Sequence, residues 1–426
     1  MTPPARTEAA IGLLEQILSH PANPADRLVA GWFRHRRYAG AKDRAYITNL
    51  VYSVLRRRAE FEWALGHDDV GLASPRDLIA AALALDEGLG DSDVAARFLG
   101  TEHAPQVLTP NEQARLGALR RDTGAAPDWV RANFPPALDA PLREVFGDDV
   151  TLELPALAER APVDLRVNTL RGDRGAAIAA LARENIAAHP TPLSPVGLRL
   201  DARANVAGSD AYRDGLVEVQ DEGSQLIALL LGAQPGETVI DWCAGGGGKT
   251  LAIAAAMQNQ GRLLALDTSP ERLEAAQHRI ERAGATVIET FPLAAAAVVV
   301  ADRVLVDAPC TGSGAWRRNP AAKWRTTPDS IADFAARQAS ILDEASRAVR
   351  PGGVLLYATC SLFRGENHDQ VDAFLRTHRD FRLGSIATQW RKVLGGEPPS
   401  EMPLLLLTPF ENKTDGFFMA LLERKE

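Results

Sequence analysis

Asp241-Trp-Cys-Ala-Gly-Gly-Gly-Gly-Lys-Thr250 is the stretch whose reading decides the fold. It follows the apolar, β-branched run Thr238-Val-Ile-Asp241 and opens the Ala-rich segment 249–257. Strand, glycine loop and helix in that order begin an open α/β sheet, whose ligands bind beyond the carboxyl ends of the strands. Consecutive glycines let the backbone approach a ligand closely. Two kinds of ligand compete. A phosphate-cradling loop, G-x-x-x-x-G-K-[ST], is matched by Gly248-Lys249-Thr250 but has Cys243 at its first glycine. A nucleoside-binding loop requires an acid about 20 residues on, closing the next strand, to take ribose hydroxyls. Asp267 closes Arg262-Leu-Leu-Ala-Leu-Asp267 and lies 20 residues after Gly247. The nucleoside reading fits better, and an NTPase built on Gly248-Lys249-Thr250 stays as a rival.

Outward from the loop the pattern repeats. Pro270–Ala283 reads as a helix with Pro in its first turn, where the missing N–H costs little. Residues 285–289, 303–307 and 354–359 read as strands, and about 330–349 and 366–377 as helices. This alternation predicts a mainly parallel sheet with helices on both faces, a Rossmann-like α/β domain over 216–426. Residues 126–215 mix strand-like 163–168 and 197–200 with a helix over 173–184 that Asp173 can cap, and predict a small α+β module. Residues 1–125 repeat apolar side chains at helical spacing: Ile11, Leu14, Ile17 and Leu18, then Ile47, Leu50, Val51, Val54 and Leu55. Arg56, Arg57 and Arg58 close that second run, where a helix favours cations. The expected architecture is multidomain: an all-α bundle, the α+β module and the α/β domain.

The three cysteines are Cys243, Cys310 and Cys360. An odd, sparse set is no disulfide framework, and without a CxxC pair it is no structural zinc site. Cys243, beside Trp242, reads as packing beneath the loop. The other two close consecutive strands, in Arg303-Val-Leu-Val-Asp-Ala-Pro-Cys310 and Tyr357-Ala-Thr-Cys-Ser361. Adjacent parallel strands bring Asp307, Cys310 and Cys360 to the sheet edge that carries the glycine loop. A thiol has a use there if the substrate is a cytosine. Carbon 5 of that ring is too weak a nucleophile to be alkylated, but a thiolate added to carbon 6 makes it enamine-like, and covalent catalysis then divides one hard step into easier ones. An enzyme alkylating an amino nitrogen would carry Asn/Asp-Pro-Pro-Tyr where this chain has Ala308-Pro-Cys310.

On these residues the chain resembles the Nop/Sun family of RNA cytosine-5 methyltransferases. The resemblance is carried by Asp241 to Thr250, Asp307-Ala-Pro-Cys-Thr-Gly-Ser-Gly314 and Ala358-Thr-Cys-Ser361. Leu165-Arg-Val-Asn168, Val219-Gln-Asp-Glu-Gly-Ser-Gln225 and Thr414-Asp-Gly-Phe-Phe418 add to it. The front end, with Gly40-Ala-Lys-Asp-Arg44 and Leu50-Val-Tyr-Ser-Val-Leu-Arg56, is similar to a NusB-like RNA-binding domain. The combination points to the bacterial members that act on 16S ribosomal RNA. The resemblance implies S-adenosyl-L-methionine as cofactor, Cys360 as nucleophile, Cys310 as the residue assisting product release, and Asp307 at the base or cofactor. It implies that Cys243, Ala244, Gly245, Gly246, Gly247, Gly248 and Lys249 hold the cofactor's methionine and ribose, with Asp267 on the ribose hydroxyls. Two departures are visible. The family usually has Ala-Pro where this chain has Gly245-Gly246. It also commonly places an acid soon after the third strand, near the adenine; here Glu289-Thr-Phe-Pro292 offers Glu289 as a substitute or Phe291 as a stacking surface.

The formal net charge of −8 argues against a nucleic-acid partner, but it averages over local clusters. Arg27, Arg34, Arg36, Arg37, Lys42, Arg44 and Arg56 to Arg58 form one. Arg317, Arg318, Lys323 and Arg325, interleaved with Trp316 and Trp324, form another. Such patches can bind phosphates and stack on bases. RNA is the expected partner, with no metal (the eight histidines show no ligand spacing) and no membrane, since the longest apolar run, 293–301, is too short to span one. The start of the chain does not read as a signal peptide, so a cytoplasmic monomer is expected. An RNA-binding assembly factor with a degenerate cofactor site, or a transfer RNA substrate, are the remaining alternatives.

Overall fold

The computed structural model describes residues 1–293 and 299–426, so most of the apolar run 293–301 lies outside the described residues. The chain forms two compact units, Met1–Arg160 with Ala315–Pro328, and Ala161–Gly314 with Asp329–Glu426. Among the described residues no helix is long and apolar enough to cross a membrane.

The first unit is helical. Its helices include Pro3–Ser19, Ala25–Arg34, Ala41–Arg56, Arg58–Ala64 and Pro75–Leu85. The last is central: every residue from Leu78 to Ala84 is buried, as a helix that is apolar all round requires. Ser74 accepts a hydrogen bond from the Asp77 N–H at its start, and Pro75 sits where a missing donor is harmless. The loop before it is fixed by Glu62, which is fully buried and accepts the Gly71 and Ala73 N–H groups at 2.8 Å each and Arg58 Nε at 3.2 Å. Helices continue past residue 125, at Asp128–Arg131 and Asp139–Phe146, and the first unit runs to Arg160.

The segment Ala315–Pro328 belongs to this helical unit by its packing. A helix leaves its last carbonyls without intrahelical partners. For Ala41–Arg56 two of these are met from this distant segment: Trp324 Nε1 donates to the Leu55 carbonyl and Lys323 Nζ to that of Arg56, at 2.8 Å. Trp316, Arg317 and Lys323 are buried. This removes Trp316, Arg317, Lys323 and Trp324 from the expected surface that pairs with phosphates and stacks on bases: Lys323 and Trp324 cap a helix, and Trp316 and Arg317 are buried.

The second unit contains both sheets. One is antiparallel, in the order β2 (Ala188–Pro190), β3 (Gly197–Leu200), β1 (Asp164–Val167), β4 (Val217–Val219). The helix Arg174–Arg183 covers it, capped as expected by Asp173, which accepts the Ala176 N–H at 2.8 Å. The larger sheet has the central parallel order β7 (Ile288–Pro292), β6 (Arg262–Asp267), β5 (Thr238–Asp241), β8 (Ala301–Asp307), β9 (Val349–Thr359). Beyond β9 the sheet turns antiparallel: β12 (Phe417–Arg424) lies between β9 and β10 (Phe381–Leu383), and β11 (Leu405–Leu407) also pairs with β12. The third parallel strand starts three residues later than the sequence pattern suggested. Ala285 is taken by the end of the preceding helix, where Gly284 is left-handed (φ 68°) and the Ala285 N–H reaches back to the Ile280 carbonyl. Chain order reverses between β5 and β8, the switch point at which α/β sheets open a crevice.

Burial pushes the Lys323 ammonium down to about 7, with Arg56 adding to the effect. The unfolded chain therefore binds more protons than the folded one between about pH 7 and the ordinary lysine range, and the contribution of Lys323 to stability rises with pH across that window. In urea titrations, wild type should gain roughly 1–2 kcal/mol relative to Lys323→Met between pH 6.5 and 9. A difference independent of pH would show that the amine stays charged in its site.

Candidate active site

β5 and β8 end side by side at the switch point, and each delivers a loop. After β5 the chain enters the glycine loop, in which Gly245 (φ 55°) and Gly247 (φ 79°) are left-handed, a conformation that only glycine adopts without strain. At Gly247 an added Cβ would also lie 3.1 Å from the Ala276 Cβ. Asp267, closing β6, ties the loop down: one carboxylate oxygen accepts the Gly245 N–H at 2.9 Å and the other that of Ser269 at 2.8 Å. Each oxygen keeps a further lone pair for a hydroxyl. Above the loop there is room, since a Cβ on Gly245 would meet nothing closer than the Cys243 carbonyl oxygen at 4.0 Å. Asp241, at the end of β5, takes the Thr250 hydroxyl on Oδ2 at 2.7 Å, while its Oδ1 is buried and has no partner among the described residues. Burial raises this carboxyl to about 7, the Thr250 bond opposing and the Asp307 and Asp267 charges reinforcing the rise.

Asp307 closes β8, and the Ala308 N–H donates to the Ala358 carbonyl of β9. Asp307 accepts Lys249 Nζ at 2.6 Å. Burial alone would lower the Lys249 ammonium, but the Asp307 carboxylate, with Cys360 and Asp241 behind it, holds it above its ordinary value. The lysine is thus engaged inside the site by a carboxylate.

Cys310 and Cys360 are brought together: their Sγ atoms lie 3.4 Å apart. Hydrogen bonding to Cys360, then burial, drives the Cys310 thiol well above its ordinary value. Cys310 is therefore held toward its neutral thiol form. Cys243 is not part of this pair. It packs against the apolar cluster of Ile240, Trp242, Leu264 and Leu266, and burial pushes its thiol up, as a structural residue requires.

The residue that the sequence did not reveal is Glu366. It is fully buried, and its carboxylate accepts the Thr311 N–H at 2.9 Å, the Thr311 hydroxyl at 2.6 Å, Gln338 Nε2 at 3.0 Å and the Ser361 hydroxyl. Thr311 follows Cys310 and Ser361 follows Cys360, so one carboxylate holds both cysteine loops. The late glycine motif completes the clamp. Phe418 pairs with Thr359, the Gly314 N–H donates to the Cys360 carbonyl, and the Gly416 N–H to that of Gly314. A Cβ on Gly314 would lie 2.1 Å from the Gly416 oxygen.

Two expectations are corrected at the edges. Glu289 does not reach the cofactor end of the sheet: it pairs with Leu264 in the ladder and forms a two-pronged ion pair with Arg262, the first residue of β6, at 2.7 and 2.9 Å. Phe291 does lie at that end, beside Leu266, in the apolar cluster. The basic cluster of the helical unit divides. Arg57 is paired with Glu60 and Asp86, Arg58 with Glu62, and Arg44 donates to the Ala39 carbonyl, whereas Arg27, Arg34, Arg37 and Lys42 are exposed with Tyr38. Among the described residues no cluster of His, Cys, Asp or Glu could hold a metal ion.

Residues 228–423 match the family 16S rRNA methyltransferase RsmB/F, and residues 135–207 match the ferredoxin-like domain of RsmF/B-like methyltransferases, a match that begins within the last helices of the first unit. The chain is 30% identical over 421 residues to a probable ribosomal RNA small subunit methyltransferase B of Synechocystis sp., covering 90% of this chain and 91% of that protein. It is 32% identical over 405 residues to ribosomal RNA small subunit methyltransferase B of Xanthomonas campestris pv. campestris, covering 89% of each. Among solved structures, that of PH0851 superposes with a TM-score of 0.76 at 25% identity, over 100% of this chain and 99% of the other.

Glu366→Ala strips four donors of their acceptor at once. It should destabilise the second unit by on the order of 3 kcal/mol or more in urea unfolding, since each buried unmet group costs about 1–3 kcal/mol. A loss below about 1 kcal/mol would mean that water satisfies these groups instead.

Proposed function

The chain belongs to the RsmB/F family of 16S rRNA methyltransferases, and we propose that it methylates carbon 5 of a cytosine in 16S ribosomal RNA with S-adenosyl-L-methionine as donor. One observation carries the reading: two thiols 3.4 Å apart, closing adjacent parallel strands beside the Lys249–Asp307 pair. An enzyme that alkylates an already nucleophilic nitrogen has no use for such a pair.

The residues around the glycine loop fit the cofactor. The space over Gly245, the unmet Asp241 oxygen and the free lone pairs of Asp267 suit the amino-acid and ribose ends of an adenosylated methionine. In this reading Cys243 to Lys249 and Asp267 line its site, and Phe291 offers a flat apolar surface to the adenine. When bound, this cofactor supplies an electrophilic methyl group. The chain's own residues do the rest. The Cys360 thiolate adds to carbon 6 of a cytosine taken out of its stack, and the ring electrons pass to carbon 5, which takes the methyl group. A base then removes the carbon-5 proton, the 5,6 double bond re-forms, and the sulfur–carbon bond breaks. Cys310, a neutral thiol beside the departing sulfur, donates its S–H to the released thiolate and makes it a better leaving group. Asp307 contacts the base or cofactor and keeps Lys249 charged near Cys360.

The helical unit is the RNA-gripping part in this reading, NusB-like in role. Arg34 and Arg37 flank the turn between Ala25–Arg34 and Ala41–Arg56, with Lys42 just beyond it and Tyr38 71% exposed among them. Guanidinium groups for phosphates and an open aromatic face for a base are what single-stranded RNA needs.

Methyl transfer from labelled S-adenosyl-L-methionine to unmodified small-subunit ribosomal RNA, followed by nucleoside analysis, should place the label in 5-methylcytidine; label in any other nucleoside refutes the chemistry. Cys310→Ala should accumulate a protein–RNA adduct that survives denaturing electrophoresis, and Cys360→Ala should not; an adduct in the second variant reverses the roles. Reversing charge at Arg34 and Arg37 together should raise the Kd for the RNA about tenfold or more and flatten its salt dependence. An unchanged salt slope would move the RNA contact elsewhere.

A further inference from the structure

Glycine has the most backbone freedom to lose on ordering. A loop of four glycines therefore needs constraints beyond the Asp267 contact at Gly245 if it is to be ordered before its ligand arrives.

The structure supplies one from outside the loop. Arg279, on the helix Pro270–Ala283, donates through Nη1 to the Gly246 carbonyl and through Nη2 to Glu218 Oε2 at 3.0 Å. The guanidinium lies along the loop: a Cβ on Gly246 would be 3.3 Å from Nη1, and one on Gly248 would be 3.7 Å from Nη2. Glu218 belongs to β4 of the antiparallel module and its side chain is only 2% exposed, held by a second ion pair to Arg282. Gln220, two residues further along the same edge, also comes within 3.7 Å of a Cβ placed on Gly248. The planar guanidinium can hold two acceptors at fixed spacing, which an ammonium cannot.

We infer that Arg279, anchored by Glu218, is the positioning residue of the cofactor loop. It constrains the loop at Gly246 and makes cofactor affinity depend on the antiparallel module. The inference rests on the S-adenosyl-L-methionine reading above. Loss of the anchor lowers affinity because the loop must then be ordered when the ligand binds. The chemical step, which takes place at the cysteines, is untouched.

The test is calorimetric titration of the full-length protein with S-adenosyl-L-methionine, alongside thermal melts and steady-state kinetics. Arg279→Met should raise the Kd about tenfold and raise KM for the cofactor to match, with kcat within about twofold of wild type. Glu218→Gln should move Kd the same way by less, and Arg279→Lys should recover part of the loss. Arg282→Met breaks the other Glu218 ion pair without touching the loop, so it should lower Tm and leave Kd unchanged. If Arg279→Met binds as wild type does, or if Arg279→Met and Arg282→Met weaken binding alike, Arg279 is only part of the packing between helix and module, and the inference falls. If wild type itself does not bind the cofactor, the cofactor reading falls first and takes this inference with it.

Discussion

A carboxylate with no access to water has to be surrounded by donors, and the geometry of this site follows from how Glu366 meets that demand. Its donors come from the residue after each cysteine and from Gln338 on the helix Pro328–Ser346. Neither cysteine loop can move without uncovering a buried charge, a change costing several kcal/mol. The short distance between the two sulfurs is therefore a property of the carboxylate behind them more than of the cysteines. The crossing of Gly314 and Gly416 backbones, too close for any side chain, fixes the same loops from the other side.

Charge is distributed around this clamp with a consistent sense. Asp241, Asp267 and Asp307 end three adjacent strands and repel one another, which helps to raise the most buried of them. Lys249 relieves part of that repulsion and stays charged, so a fixed cation sits beside the thiol pair. In the proposed mechanism, negative charge forming on a sulfur or on a ring carbon would meet a group already in place, with no reorganisation required at that moment. The strand order makes this possible, because the reversal between β5 and β8 leaves a crevice into which both loops lead.

Much of this was legible in the sequence wherever the signal is local. A glycine loop between a strand and a helix, an acid at the next strand end and two cysteines closing consecutive strands all depend on residues a few positions apart. The fold class and the pairing of Cys310 with Cys360 came from those. What was not legible depends on partners distant in the chain. Glu366 reads as the start of a helix over about 366–377, and nothing there says that it is buried beneath a loop 55 positions away. Trp324 and Lys323 read as a nucleic-acid surface because composition cannot distinguish a stacked base from a helix end. Glu289 misled for a related reason: its residue type suited a contact near the adenine, but its place in the ladder gives it to Arg262. The antiparallel β12 escaped notice because a C-terminal apolar run carries no direction.

The union of Met1–Arg160 with Ala315–Pro328 has a consequence for the order in which this protein can come into being. A ribosome releases the helices first, with the Leu55 and Arg56 carbonyls still waiting for indole and ammonium groups that emerge only after the whole glycine-loop region and the first of the paired cysteines. The early unit lacks these two caps until that segment emerges, and the stretch 161–426 cannot be excised without taking part of its neighbour with it. Residues that a gene map would assign to the later module thus complete the earlier one.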